Sequence, residues 1–473
     1  MVFTSVTFIV FFLPAFLAVY YLVPERHLRV RNAVLLLFSI VFYGWGGLGY
    51  LGLLLLSVLI NTLSGFCIGK SRNQRVRKTV LILAVVLNLA LLGIFKYGSF
   101  TLSCLSGLGF RVPAISIALP IGISFYTFQG MSYVIDVYRE KVAHAADPLT
   151  VALYIALFPQ LVAGPIVRYS DIADELVERQ HTVIGFASGL IRFLFGFGKK
   201  LLLADVMGVI ADRAFLRTGT VLLTLPLSWI GAITFALQIY FDFSAYSDMA
   251  IGLGRMAGFH FSENFRDPYL SDSITEFWRR WHISLSSWFR DYVYIPLGGN
   301  RCGKGRQIFN LMIVWMLTGL WHGANWTFIL WGIYYGILLI IEKFILGERL
   351  NFIPRPLRHL VTLFFVLIGW VIFRSDSVGN VFVYLRSMFG VGVIPDYREA
   401  VYVLREYAWE LGASLILLIP WRTWAGSLNE RFGEGKGRTA FEVSLAVLAI
   451  FVFAAAYIKL ASGSFSPFIY FQF

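Results

Sequence analysis

The sequence predicts an all-α, polytopic membrane protein with about eleven transmembrane helices plus re-entrant and interfacial helices. Of its 473 residues, 58% are hydrophobic and 14% are charged, whereas soluble domains contain about 45–50% apolar and about 25% charged residues. Apolar runs of roughly 17–25 residues recur along the chain, which is the length of a spanning helix and too long for a barrel strand. Lys and Arg concentrate in short segments between these runs, as cytosolic loops require.

Charge and cysteine content narrow the function classes. The formal net charge of +13 would suggest a nucleic-acid partner in a soluble protein, but membrane topology accounts for it here. The three cysteines have neither disulfide nor metal-ligand spacing, and we expect no metal site. No linker or internal repeat divides the chain, which predicts a single integral-membrane domain over residues 1–473.

The first elements set the predicted topology. Val2–Val23 reads as a span that ends at Pro24, because it lacks the basic start and cleavage site of a signal peptide. A hairpin broken at Gly46 then separates two basic segments, 26–31 and 70–78. Since two spans return the chain to the same side, both basic segments are predicted to face the cytosol.

The next runs are less regular. Thr79–Phe95 should cross to a short connection at Gly98–Pro113. Proline and glycine interrupt the runs Ile115–Tyr138 and Leu149–Ile166, which indicates either broken helices that line a cavity or proline-kinked spans. Further helical regions are predicted at Thr182–Leu203, Val221–Gly258, Thr327–Phe344, Leu360–Phe373, Phe382–Gly392, Leu411–Ile419 and Ala440–Leu460.

The 221–258 region carries polar residues in an apolar setting, Asp242, Tyr246 and Asp248. A carboxylate at mid-bilayer costs about 2.5–3.5 kcal/mol on insertion scales, so such residues usually face a cavity or a partner. We predict that these three contact substrate. The alternative is that the carboxylates lie at the interface and pair with arginines such as Arg255 or Arg266.

A basic, tryptophan-rich stretch from Asp272 to Trp326 interrupts the hydrocarbon-like sequence. Ser273 and Glu276 have capping-box spacing, which predicts a helix start at 273. Apolar residues then recur every three or four positions up to Tyr292, and a basic amphipathic helix of this kind suits the membrane interface. His282 lies on this helix, as either a site residue or a hydrogen-bonded interfacial histidine.

The same stretch is rich in arginine. Arg279, Arg280 and Arg290, with Arg301, Lys304 and Arg306 after them, could form a cationic rim that holds phosphate groups. The alternative is that these charges only orient the membrane topology.

His322 is the strongest catalytic candidate. It lies in a predicted span, Gln307–Trp326. On one side is Trp321, which we predict to contact substrate, and on the other is Gly323, whose missing side chain predicts a close approach by another group. Imidazole can take and return a proton near neutral pH, so His322 is predicted to be a general base. Asn325 follows three residues later, on about the same helix face, where it could orient the ring or hold an oxyanion. The alternative is a structural histidine packed between helices.

Several strings of the sequence resemble the membrane-bound O-acyltransferase (MBOAT) family, above all its bacterial branch that acts in alginate O-acetylation and teichoic-acid D-alanylation. The matching strings are MVFTSVTFIVFFLPAFLAVYYL, ALPIGISFYTFQGMSYVIDVYR, LFPQLVAGPIVR, YFDFSAYSDMAIGLG, SITEFWRRWHISLSSWFRDYVYIPLGGNR and GLWHGANWTFILWG. They follow one another over nearly the whole chain.

The resemblance implies a ring of tilted helices around a thin centre in the bacterial inner membrane. It implies that His322 is the catalytic histidine and His282 a second polar site. An acetyl or other short acyl group would pass from cytosolic acetyl-CoA to an extracytoplasmic polysaccharide, such as alginate or another exopolysaccharide. A secreted or membrane-anchored acyltransferase resembling serine hydrolases would be a partner, and no bound cofactor is expected. The rival functions are a transporter or flippase for a lipid-linked sugar, with Asp242 and Asp248 as its sites, and a scaffold subunit.

Overall fold

The computed structural model describes residues 1–113, 115, 117–142, 147–421, 436–463 and 467–469. Within these ranges the regular elements are helices, and the predicted all-α fold is confirmed.

Two compact units make up the chain. The first contains Met1–Phe193 and Tyr246–Ser262, and the second contains Leu194–Ala245 and Glu263–Phe473. This division does not decide whether either unit folds alone, so the single domain stays a prediction.

The helices follow in chain order. The first unit contains α1 (Phe8–Leu22), α2 (Leu28–Gly44), α3 (Leu48–Lys70), α4 (Gln74–Gly107), α5 (Ile123–Tyr138), α6 (Pro148–Ala156), α7 (Phe158–Leu161) and α8 (Tyr169–Val177). Two helices contribute residues to both units, namely α9, which runs through Val183–Gly198, a π-helical turn at Lys199–Ala204 and Asp205–Phe215, and α10 (Leu225–Met256). The second unit also contains α11 (Ile274–Arg280), α12 (Ile283–Phe289), α13 (Lys304–His322), α14 (Trp326–Phe352), α15 (Arg355–Arg374), α16 (Val378–Met388), α17 (Arg398–Glu406), α18 (Ala408–Ile416) and α19 (Lys436–Ala461).

Several helices are long and apolar enough to cross a membrane. Within the described residues these are α3, α4, α14, α15 and α19, and α1 with α2 qualify as one span bent by 105°. The chain is therefore a membrane protein. By length and composition, five or six helices of the described residues meet this test, against about eleven predicted spans. Helix α10 has 32 residues and is long enough to span, but it is not among them. In addition, α4 continues as a helix to Gly107, through most of the connection expected at 98–113.

The two interrupted runs are broken helices. In the first, helix α5 begins only after Gly122, whose φ of +79° favours glycine. In the second, the backbone of Leu157 is non-helical (ψ 109°) and separates α6 from α7. Gln129 and Asp136 of α5 are fully buried, so protein, not lipid, surrounds this irregular region, as membrane depth requires.

Polar and small residues join the helices of the first unit. The side-chain amides of Asn61 in α3 and Asn88 in α4 bond each other at 3.0 and 3.1 Å. A Cβ on Gly130 of α5 would lie 2.3 Å from Asn61 Nδ2, so only glycine permits this approach. Small residues and interhelical amides hold helices together where lipid supplies no hydrophobic drive.

Both basic segments pair with one short connection, the one between α5 and α6. Arg29 contacts Asp147, and Arg77 contacts Glu140. The two segments therefore meet the same side of the first unit, as the predicted topology requires. Which compartment this side faces remains a prediction.

In the second unit, α13 and α14 form a tight hairpin. A Cβ on Gly319 would lie 2.3 Å from the carbonyl oxygen of Phe328, and one on Gly332 would lie 2.4 Å from that of Trp315. These glycines let the two backbones touch. The hairpin fixes where α13 ends, and His322 is its last residue.

The sequence predicted one continuous helix from 273 to about 292, and this prediction is wrong. Its start is confirmed, because the Ser273 side chain accepts a hydrogen bond from the Glu276 N–H. The helix then breaks at His282, which has left-handed backbone angles (φ 45°, ψ 53°) and separates α11 from α12. Trp281 and Trp288, expected at an interface, are buried.

Candidate active site

His322 lies at the C-terminal end of α13 and is 5% exposed. Three aromatic rings surround its imidazole edge-to-face: Trp321 at 5.0 Å, Trp331 at 5.0 Å and Phe373 at 5.3 Å between ring centroids. Trp331 comes from α14 and Phe373 from α15. The ring is thus held by hydrocarbon walls from several helices.

Gly323 makes room for this arrangement. Its backbone is extended (φ −171°), which any residue can adopt, but a Cβ would lie 2.1 Å from Cε2 of Phe328. The Phe328 ring in turn packs on Phe373 at 5.0 Å. The close approach predicted at Gly323 therefore exists, and its partner is an aromatic side chain of the same chain.

Asn325 does not lie on the helix of His322, so the expectation of a shared helix face is wrong. Helix α13 ends at His322, and Asn325 caps the next helix: its Oδ1 accepts from the Thr327 N–H at 3.2 Å. Its Nδ2 donates to the Asp376 carbonyl at 3.0 Å. The side chain ties the start of α14 to the end of α15.

His282 occupies the break between α11 and α12 and is 1% exposed. Its Nδ1 lies 3.2 Å from Oδ1 of Asn264. Phe243 packs on the ring edge-to-face at 4.6 Å, and Trp321 does so at 5.7 Å. Because Trp321 contacts both histidine rings, the structure brings together three of the predicted site residues: His282, Trp321 and His322.

Burial determines the protonation of His282. The residue lies outside the candidate membrane-spanning helices. Removal from water disfavours the imidazolium and lowers the pKa of His282 to about 3. The ring is therefore neutral at physiological pH.

The polar residues of α10 are in ion pairs or aromatic packing. In the second unit, Asp242 binds Lys200 Nζ at 2.6 Å and also accepts the Ile469 N–H. In the first unit, Asp248 binds Arg192 at 2.9 Å, and Tyr246 stacks on Phe3 with ring centroids 4.8 Å apart. The carboxylates are thus paired, as the alternative expected, but the basic partners found are Lys200 and Arg192.

The arginines of α11 and its surroundings differ in their pairing. Arg280 pairs with Glu276 on the same helix, and Arg290 pairs with Asp291. Arg279 is exposed. The other basic residues predicted for the rim, Arg301, Lys304 and Arg306, are exposed as well. Within the described residues, no group of three His, Cys, Asp or Glu side chains could hold a metal ion.

The family model for the membrane-bound O-acyltransferases matches residues 40–379, which include all of these histidine contacts. The chain belongs to the MBOAT family. A probable alginate O-acetylase of Azotobacter vinelandii is 40% identical over 100% of both chains. A peptidoglycan O-acetyltransferase of Helicobacter pylori is 33% identical over 83% of this chain and 80% of its own length. A teichoic acid D-alanyltransferase of Bacillus subtilis is 29% identical over 54% of this chain and 68% of its own length.

As a member of this family, the chain is an O-acyltransferase. Its structure also shows residues around the two histidines that the sequence analysis missed. Asn264, Phe243, Trp331 and Phe373 contact the two histidines of this MBOAT chain. Asn264 lies in the segment SENFRDPYL, shortly before the capping box, and its burial, which marks it as a site residue, is visible only in the structure. The aromatic contacts come from distant helices and had no local signal.

Proposed function

We propose that this chain moves an acetyl or other short acyl group from acetyl-CoA in the cytosol, across the bacterial inner membrane, for O-acetylation of an extracytoplasmic polysaccharide. The names of its relatives support the acyl group and the class of acceptor, because two of them are O-acetylases of polysaccharides. Full-length similarity to an alginate O-acetylase makes alginate the first acceptor to test.

The observation that carries the proposal is the pair of buried histidines on either side of Trp321. In the proposed reaction, a hydroxyl oxygen attacks the thioester carbonyl carbon, the new C–O bond forms and the C–S bond breaks. His322 takes the hydroxyl proton and returns it to the departing thiolate. General-base catalysis of this kind contributes about 10²–10⁴-fold.

The role first considered for Asn325 changes in this proposal. Both ends of its amide already hold backbone groups, so it serves to fix the hairpin that presents His322. Oxyanion stabilisation is left to backbone N–H groups, which are the usual donors for a developing negative charge.

The phosphate groups of acetyl-CoA would have to be bound by basic side chains. Among the three arginines nearest the break at His282, which are Arg279, Arg280 and Arg290, only Arg279 lacks an ion-pair partner in the described chain, and it is exposed; Arg280 and Arg290 have carboxylate neighbours. We therefore propose Arg279 as the first of these to contact coenzyme A, through charge-assisted hydrogen bonds.

The acceptor polymer calls for a partner. A carbohydrate-binding domain usually needs 50 residues or more, and the predicted outer segments of this chain are much shorter. We propose that a secreted or membrane-anchored acyltransferase with a serine hydrolase-like fold receives the acyl group and delivers it to the polysaccharide.

The test is reconstitution of the full-length chain in vesicles, with labelled acetyl-CoA on one side and alginate on the other. We expect acetyl esters on the polymer when a secreted acyltransferase is added, and loss of thioester turnover in His322→Ala. The matched control is His260→Ala, a histidine whose side chain is 76% exposed in the first unit.

Two outcomes would contradict the proposal. Normal thioester turnover in a folded His322→Ala protein would show that His322 is not the general base. Passage of a lipid-linked sugar without any covalent change would make the chain a transporter.

A further inference from the structure

One buried side chain, Asn264, organises the break that carries His282. It lies in the second unit and is 1% exposed. Its Oδ1 accepts from the Ser284 N–H at 3.2 Å and from the Ser284 hydroxyl at 2.9 Å, and it faces His282 Nδ1 at 3.2 Å. Its backbone carbonyl also accepts from the Ile283 N–H at 3.0 Å. Asn264 is thus bonded to three consecutive residues across the break.

These contacts fix the orientation of the amide. A backbone N–H can only donate, so the Asn264 atom that receives the Ser284 N–H must be the oxygen and not the nitrogen. The same oxygen faces His282. An oxygen of this kind can only accept, so this contact requires a hydrogen on His282 Nδ1. The Ser284 hydroxyl also lies 3.5 Å from Nδ1, but it donates to Asn264 Oδ1 over the shorter distance of 2.9 Å.

The tautomer follows from proton counting. A neutral imidazole carries one N–H and one acceptor nitrogen. With the hydrogen on Nδ1, the lone pair of His282 is on Nε2. The buried setting of the ring, between Phe243 and Trp321, keeps the neutral form.

We infer that Asn264 is a positioning residue that fixes His282 as the Nδ1–H tautomer, so that Nε2 accepts a hydrogen bond from the hydroxyl that will receive the acyl group. This inference rests on the proposed function, since it places His282 beside the acceptor. A neutral ring in this tautomer has no N–H on Nε2 and therefore cannot stabilise an oxyanion there.

The two histidines then have different tasks. His322 takes the proton, while His282 orients the hydroxyl for attack. Loss of one neutral hydrogen bond costs about 0.5–1.5 kcal/mol, which corresponds to about 3–10-fold in rate.

The experiment is ¹⁵N NMR of the full-length protein with labelled histidine. The seven histidines give overlapping signals, and the His282 signals are assigned by their loss in His282→Gln. We expect a protonated Nδ1 and an unprotonated Nε2 in the wild type. A wild-type ring protonated on Nε2 overturns the inference, and this measurement needs no variant of Asn264.

Three variants identify the residue that sets the tautomer. Asn264→Asp keeps an acceptor oxygen and should keep the Nδ1–H signature; Asn264 Nδ2 has no hydrogen-bond partner in the described chain, so its replacement breaks no bond. Asn264→Leu should lose the signature, with a mixture of tautomers. Ser284→Ala should keep it. An unchanged signature in Asn264→Leu, or its loss in Ser284→Ala, overturns the assignment to Asn264.

Acyl transfer is measured on the same samples. Asn264→Leu should fall by about 3–10-fold, and Asn264→Asp should fall less. If the wild type transfers no acyl group, the proposed function fails while the NMR result still stands. If the wild type transfers and its His282 carries the hydrogen on Nε2, only the tautomer inference fails.

Discussion

His282 and His322 both lie where a helix ends, but the two ends are built differently. At His282 the backbone takes a left-handed turn (φ 45°), and polar contacts from Asn264 hold the ring. At His322 the helix stops before an extended glycine, and aromatic rings enclose the imidazole.

The difference concerns what each ring is prepared to do. A hydrogen bond to Asn264 selects one tautomer, which suits a residue that orients a partner. The aromatic rings shape the space around His322, but these contacts do not decide which of its ring nitrogens carries the hydrogen. Such a setting suits a residue that must both take and return a proton. Substitutions at and around the two rings test this division between a positioning histidine and a reacting one.

The largest expected effect on stability is at Asp242, and this substitution also tests whether a carboxylate, rather than the two histidines, takes part in acyl transfer. Asp242→Asn should lower the free energy of unfolding by about 3 kcal/mol, because it breaks a buried ion pair with Lys200. We expect the lower end of the usual range because Asp205 also lies 2.7 Å from Lys200. Thermal melts and transfer per folded molecule should be measured together. Lost transfer with full stability would assign Asp242 to the reaction.

The next effect concerns the buried neutral state of His282. Its pKa is lowered from 6.5 to about 3 by burial. Below pH 6.5 the unfolded chain takes up a proton at this ring that the folded chain does not. Its contribution to stability is therefore complete above pH 6.5 and is lost as the pH falls towards 3, by about 1 kcal/mol per pH unit.

The measurement compares wild type with His282→Gln in the same detergent. The stability difference between them should shrink by about 2 kcal/mol between pH 6.5 and pH 4.5. An equal difference at the two pH values would mean that the ring is not held neutral.

Gly323 tests the aromatic side of the comparison. Gly323→Ala should cost about 1–3 kcal/mol, because its Cβ meets the Phe328 ring and overpacks a full core. Gly305→Ala is the control at the other end of α13, inside the helix: it has open space around it and should be neutral or slightly stabilising. Equal melting temperatures for the two variants would show that the walls around His322 are loose.

The smallest effect isolates the backbone at His282. His282→Gly and His282→Ala lose the same imidazole, but only glycine adopts a left-handed conformation without strain. The Gly variant should be more stable than the Ala variant by about 1 kcal/mol. At Ser286, inside α12, the same pair of substitutions should give the opposite order.

The same two helix ends show how far the sequence could predict the structure. The start at Ser273 and the close approach at Gly323 follow from local chemistry, capping in one case and missing side-chain bulk in the other. The break at His282 has no such signal, because positive φ is uncommon for any residue other than glycine and the apolar period continues across it. Long-range contacts from Asn264 impose it.

The ion pairs could likewise be predicted only in part from the sequence. The sequence predicted that Asp242 and Asp248 need partners in an apolar helix, since buried charges must be paired. It pointed to nearby arginines, whereas Lys200 and Arg192 come from a different helix, α9. A sequence shows that a buried carboxylate needs a basic partner, but which residue is that partner depends on which helices pack together.

Thioester turnover of His322→Ala and His282→Gln, measured side by side in vesicles with labelled acetyl-CoA, tests the central claim most directly. If His322 takes the proton and His282 only orients the hydroxyl, the first variant loses about 10²–10⁴-fold and the second about 3–10-fold. Equal losses, or a greater loss at His282, would contradict the account.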